Sequence, residues 1–275
     1  MNNSRLIVNT LQRRLDPRLV ATLGSVLLTV RRRERCVVRY AEGNWAHHYT
    51  SGIVVRPELG GASARQEDRA SWDTFLFGYQ PRVGDTVLDI GAGVGSETRL
   101  LSRLVGRSGR VISVEAHPRM FACLCRTIEL NGLENVTAVS GAIAGRRGTV
   151  YIQDLPNHAS NAITTRPGEG LPVPAETLGE LLDRLDVDQV DLLKMNIEGV
   201  EHTVLEAAQD VLARVRNIVV SCHDFKAESD GGDWQRTHAE VRSLLIECGY
   251  RLLPSRRDPR PWIPYYVYAS RPQPH

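Results

Sequence analysis

The stretch from Asp85 to Glu115 constrains the fold more than any other part of the chain. Val87, Leu88 and Ile90 form a short apolar run that stops at glycines 91, 93 and 95. An amphipathic segment follows, with Thr98, Leu101, Leu104 and Val105 on one side. That order reads as strand, glycine turn, helix. A second apolar run, Val111 to Val114, ends on Glu115. It lies about twenty residues beyond the last glycine, where a βαβ unit brings a carboxylate beside a ribose diol. The pattern predicts a nucleoside site.

The same alternation continues. His117-Pro118 opens a helix that Gly132 stops, and a strand from Val136 to Val139 ends at Ser140-Gly141-Ala142. Thr149 to Gln153 is extended, whereas Asp154 to Pro174 has no periodicity and reads as a long loop of the kind that is usually functional. After a helix over Glu176 to Leu185, the strand Val190 to Met195 runs into Asn196, Glu198 and Gly199. A helix with Val204, Leu205, Ala208, Val211 and Leu212 inside leads to a strand, Ile218 to Ser221, that ends in Cys222-His223-Asp224. Two successive strands thus finish in ionisable groups at their carboxyl ends, where open α/β sheets bind ligands. A helix from about Trp234 to Cys248 and strands at 251–253 and 265–269 complete a largely parallel sheet covered on both faces.

Ahead of this unit, residues 1–38 read as two helices divided at Asp16-Pro17, since proline is tolerated only as a helix start. Cys36 to Tyr40 and Ile53 to Val55 read as a hairpin around Glu42-Gly43-Asn44, and Trp72, Phe75, Leu76 and Tyr79 mark the apolar face of a helix over 66–79. We therefore divide the chain into a helical and β-hairpin addition, 1–65, and an α/β domain, 66–275. His47 and His48 are adjacent in a strand, so they point to opposite faces and do not share a metal. Leu19 to Val30 is too short to span a bilayer. Its apolar positions 19, 20, 23, 26, 27 and 30 form a helical stripe before Arg31 to Arg35. The stripe suits packing on the body of the protein or on a second copy in a homo-oligomer; an interfacial membrane helix is the lesser alternative. The net charge of +2 gives no reason to expect a nucleic-acid partner. Five scattered cysteines make no disulfide framework, which fits a cytoplasmic location.

The glycine turn reads G-A-G-V-G with Ser96 next, so the third glycine of a dinucleotide fingerprint is missing. Asp89 precedes it and would repel a diphosphate, while suiting a cationic sulfonium. Together, VLDIGAGVGSET, VISVEAHP and DLLKMNIEGVEHTVLEAA resemble the FkbM-type family of S-adenosylmethionine-dependent methyltransferases, over about Trp72 to Asp224. The resemblance implies a class I methyltransferase fold, Rossmann-like, with a seven-stranded sheet whose last strand is antiparallel. It implies that Asp89, Gly91, Ala92, Gly93 and Gly95 line the S-adenosylmethionine cofactor, with Glu115 and Ala116 at its ribose. Gly141 and Ala142 would lie near the adenine, with Asn196 also at the cofactor. Lys194, Glu198 and Gly199 match the family's K-x-D-x-E-G strand motif, from which Asn196 departs where aspartate is usual. The implied activity is O-methylation of a small-molecule hydroxyl on a sugar, glycoside or polyketide-type natural product.

A hydroxyl attacking a sulfonium methyl needs alignment and removal of its proton. His223 is the first candidate base, with Asp224 and Glu198 behind it; His158, Asn161 and His202 are candidates for binding the acceptor. Asn196, Glu198 and Asp224 could instead hold a divalent cation, a reading disfavoured because an amide brings no charge. The rival functions are a nicotinamide-dependent oxidoreductase, which the glycine spacing opposes, and a non-catalytic partner subunit that keeps the fold.

Overall fold

A computed structural model describes residues 15–154, 163–164, 168, 170–227, 232, 235–254 and 258–272. Helix α1 (Pro17–Arg32) starts at Pro17, and the Asp16 carboxylate caps it by accepting from the Arg18 amide at 2.7 Å. The helix expected before Asp16 lies outside the described residues. Three strands follow: β1 (Cys36–Ala41), β2 (Asn44–Tyr49) and β3 (Gly52–Arg56), in the order β1-β2-β3. The expected hairpin is therefore a three-stranded meander. Its middle strand, NWAHHY, was hidden by polar composition, although His47 and His48 do face opposite sides, the first buried and the second half-exposed.

Both outer edges of this meander are closed by side chains. On β1 the Cys36 and Val38 amides donate to the Thr29 and Ser25 hydroxyls of α1, at 2.9 and 2.8 Å. On β3 the Ile53 amide donates to Asn131 at 3.0 Å, and the Val55 amide donates to the Thr127 hydroxyl at 3.1 Å. Helix α2 (Ala64–Asp73) is set by a capping box of Ser63 and Gln66. It ends earlier than its periodicity predicts, so Phe75 and Leu76 enter the core from the turn beyond it while Trp72 is partly exposed.

The central sheet uses β4 (Thr86–Ile90), β5 (Arg110–Glu115), β6 (Val136–Ser140), β11 (Val190–Met195), β12 (Val215–Ser221), β13 (Arg251–Leu252) and β14 (Tyr266–Ser270). Their order is β13-β14-β12-β11-β4-β5-β6, with β14 antiparallel to both neighbours. The chain winds outward from β4 to β6 and then crosses back to β11 on the other side of β4. The crevice at the carboxyl ends of β4 and β11 is thus the switch point where ligands bind in such sheets. Alternation divides the core. Leu88, Ile90, Ile112, Leu193 and Ile218 pack under α5 (Leu178–Arg184), α6 (Glu201–Glu206) and α8 (His238–Glu247), while Val87, Val111 and Leu192 face Phe75, Leu76 and α3 (Ser96–Val105). Helix α4 (Pro118–Asn131) follows β5, and a single turn, α7 (Asp224–Ala227), follows β12.

A second sheet was not expected. Strands β7 (Ala142–Ile143), β8 (Gly148–Ile152), β9 (Ile163–Thr164) and β10 (Leu171–Glu176) pair in the order β7-β10-β8-β9. Two prolines made β10, LPVPAE, read as loop. Its pairing with β7 involves only Ala175 and Glu176, so Pro172 and Pro174 stand where that side of the strand needs no donor.

Candidate functional site

The glycine turn after β4 forms the floor of a cavity of about 470 Å³ at the switch point. Gly91, Gly93 and Gly95 all have positive φ, of 76°, 57° and 88°, in the left-handed region that glycine enters without penalty. At Gly91 the need is also steric, because a Cβ there would lie 2.0 Å from the Asn196 carbonyl oxygen. The two strand ends are joined at this point, where the Asn196 amide donates to the Ile90 carbonyl at 3.1 Å. At Gly93 a Cβ would meet nothing within 4 Å, and the residue lines the cavity.

Glu115 lines the same cavity from the end of β5. One carboxylate oxygen accepts from the Gly93 amide and the other from the His117 amide, each at 2.8 Å. Burial raises its pKa, and these two hydrogen bonds offset part of that rise. Each oxygen keeps a lone pair for a further donor. Ala116, Gly141 and Ala142 complete this side, and Asn196, Ile197 and Glu198 form the opposite wall. The Asn196 side-chain oxygen is buried and has no hydrogen-bond partner among the described residues. Such an orphan acceptor is costly unless something in the cavity donates to it.

Asp89 and Gly95 do not line the cavity. Asp89 is fully buried beneath the turn, 2.8 Å from the Lys194 ammonium, and accepts from the Thr98 hydroxyl at 2.9 Å. Lys194 is equally buried and donates to the Gly91 carbonyl at 2.8 Å. Burial by itself would lower the lysine's pKa, but the Asp89 and Glu97 carboxylates outweigh it and raise the value. The motif aspartate thus supports the floor from below instead of facing a ligand directly. Glu97 was missed in the sequence. It lines the cavity from the first turn of α3, accepts from the Ser71 hydroxyl at 3.3 Å, and has its pKa raised by burial. A carboxylate two residues past the last glycine was the available signal.

His223 and Asp224 are not brought to the cavity either. The His223 ring is buried between two carboxylates, its Nδ1 2.9 Å from Glu201 and its Nε2 3.3 Å from Glu198. Burial would lower its pKa, yet the two carboxylates raise it to about 9. At neutral pH it is an imidazolium with no lone pair to accept a proton. Asp224 accepts from the Thr237 and His238 amides at 3.1 Å, at the start of α8. His202 also stays outside the cavity lining, with Glu240 3.7 Å away. Glu198 does reach the cavity, in a left-handed conformation with φ of 62°. Burial would raise its pKa, but His223 and Lys226 hold it below the usual carboxylate range.

Asn196 and Glu198 line the cavity while Asp224 does not, and no group of three His, Cys, Asp or Glu side chains that could hold a metal forms among the described residues. His158 and Asn161 lie outside the described residues. Arg56, Pro57 and Glu58 line the cavity from the end of β3, a contribution with no local signal in the sequence. Arg56 bonds the Ala62 carbonyl at 2.8 Å and pairs with Glu67, which lines the cavity as well. No described helix is long and apolar enough to cross a membrane.

The Methyltransferase FkbM domain profile matches residues 89–252. The chain belongs to the FkbM family of methyltransferases. Its strand order is that of the class I methyltransferase fold. It is also similar to the catalytic subunit of a tRNA (adenine(58)-N(1))-methyltransferase, TRM61, from Cryptococcus neoformans, 47% identical over 55 residues covering 20% of this chain and 13% of that one. A protein-L-isoaspartate O-methyltransferase from Methanococcus maripaludis is 32% identical over 91 residues, covering 33% of this chain and 40% of that protein. The chain thus spans less than half the length of these curated relatives. Among solved structures, an FkbM methyltransferase from Methylobacillus flagellatus aligns with a TM-score of 0.46 at 16% identity, covering 68% of this chain and 43% of that one. A fibrillarin from Aeropyrum pernix aligns with a TM-score of 0.45 at 13% identity, over 84% and 97% of the two chains.

Proposed function

We propose that this FkbM-family chain binds S-adenosylmethionine in the switch-point cavity and methylates a hydroxyl of a small-molecule acceptor of the sugar, glycoside or polyketide type. The observation that carries the cofactor reading is Glu115. Its two oxygens are fixed by the Gly93 and His117 amides and each can still accept, as a vicinal ribose diol requires. The orphan Asn196 oxygen on the opposite wall fits the remaining need, since the cofactor's ammonium or an acceptor hydroxyl would satisfy it. Gly141, Ala142 and Ala116 leave a small-residue slot for a flat base. When bound, the cofactor supplies an electrophilic methyl on a sulfonium. In this reading the addition, 1–65, supplies Arg56 to Glu58 to the wall of a cavity whose other walls come from the methyltransferase domain, 66–275.

Glu198 is the residue we assign to the acceptor. It lines the cavity wall, and His223 and Lys226 hold it there and keep its carboxyl below the usual carboxylate range. It would receive the hydrogen bond of the acceptor hydroxyl, aim its oxygen along the transfer line, and take the proton as that oxygen bonds the methyl carbon and the carbon–sulfur bond breaks to leave S-adenosylhomocysteine. His223 is then a positioning residue for Glu198. The test is methyl transfer from labelled S-adenosylmethionine to a panel of hydroxyl and amine acceptors. Glu198→Gln is expected to lower kcat at least 100-fold while S-adenosylhomocysteine affinity stays within about threefold. Transfer to amines but not hydroxyls, or a Glu198→Gln variant with full kcat, would refute the assignment.

A further inference from the structure

Helix α1 is apolar on two sides. Val20, Ala21 and Leu28 pack on the meander. The opposite side carries Leu19, Leu23, Val26, Leu27 and Val30, exposed by 50% to 73%, within one arc of about 100° on a helical wheel. Val37 and Tyr40 of β1 are also exposed. A contiguous apolar patch of this kind on a folded surface marks an interaction site.

The charge around it identifies the partner. Arg18, Arg31, Arg33, Arg35 and Arg39 are all exposed. The single carboxylate between residues 17 and 41, Glu34, is turned inward and accepts from Thr50 and Ser51. Asp16 caps the helix and Glu42 lies in the turn beyond β1, so neither falls within the stretch. We propose that this face docks on an anionic lipid surface, with the apolar stripe entering the acyl boundary and the arginines against headgroup phosphates. A second copy of the chain fits less well, because a two-fold contact through the stripe would gather the exposed arginines 18, 31, 33, 35 and 39 of both copies, with Asp16 the one exposed carboxylate between residues 16 and 41 of each to offset them.

The experiment is co-sedimentation of the full chain with vesicles of phosphatidylcholine alone or mixed with phosphatidylglycerol, alongside light scattering for mass. Binding is expected for the mixed vesicles only and weakens with salt. Arg31→Gln/Arg35→Gln should weaken it roughly 30-fold, at about 1 kcal/mol per basic side chain near the surface. Leu23→Ser/Leu27→Ser should weaken it by about tenfold or more. All four positions are exposed, so circular dichroism and the thermal shift with S-adenosylhomocysteine should match the parent chain. Unchanged vesicle binding in both double variants overturns the proposal. So does a stable dimer that Leu23→Ser/Leu27→Ser disperses without vesicle binding in the parent. Binding that appears only after removal of residues 1–13 would assign the stripe to the chain's own N-terminal segment and equally overturn it.

Discussion

Replacing Lys194 by methionine tests the charge pair under the glycine turn. Methionine fills the space of the lysine stem, so packing on Phe75, whose ring centre lies 4.9 Å from the ammonium, is largely kept and little cavity forms. What is lost is the counter-ion of Asp89, a carboxylate with no solvent exposure, and the donor to the Gly91 carbonyl. Removing one partner of a buried pair costs about 3–5 kcal/mol, and the lost hydrogen bond adds about 1 kcal/mol. For a domain near this size the total lowers Tm by roughly 10–20 °C. Urea denaturation of Lys194→Met, Asp89→Asn and the double variant gives the cycle. The double variant removes both charges, so it should recover most of the loss. A Lys194→Met chain within about 1 kcal/mol of the parent, or a double variant as unstable as the sum of the singles, would show that the pair does not hold the turn.

Two further perturbations follow from the site. His223 has its folded pKa raised from 6.5 to about 9, so the stability it contributes is complete below pH 6.5 and is lost as pH rises through 9. His223→Gln should flatten that alkaline decline in urea midpoints, and an unchanged slope would contradict the imidazolium assignment. Gly91→Ala and Gly93→Ala should separate fold from binding. The first drives a Cβ into backbone and should cost about 3 kcal/mol or more, whereas the second should cost only about 1 kcal/mol yet weaken S-adenosylhomocysteine binding by calorimetry. Equal stability losses in the two would count against this division.

The central unit was legible because its signals are local. A strand, three glycines and a carboxylate at βαβ distance fix the turn and Glu115 within one short stretch, and the alternation beyond it gives the remaining parallel strands. Legibility failed where a residue's role depends on a distant neighbour. Nothing near His223 announces that Glu198 and Glu201 enclose it, and the amides that Asp224 accepts come from a helix 13 residues on. Asp89 looked like a ligand for a cation, and it does meet one, but that cation is the chain's own Lys194, delivered by the register of β4 with β11. Strands β2 and β10 escaped notice because polar residues and prolines mask extended structure where partners, not propensity, impose it.

The closed edges of the meander carry a consequence for the life of the chain before it is complete. Three short strands with open rims form a template on which another polypeptide can add, and such a sheet is scarcely stable by itself. Thr29 and Ser25 close one rim from a helix that leaves the ribosome before the strand it seals. Asn131 and Thr127 close the other from a helix that emerges more than seventy residues after Ile53 and Val55. Throughout that interval the β3 rim is exposed, so protection from misassembly during synthesis rests on how soon α4 arrives.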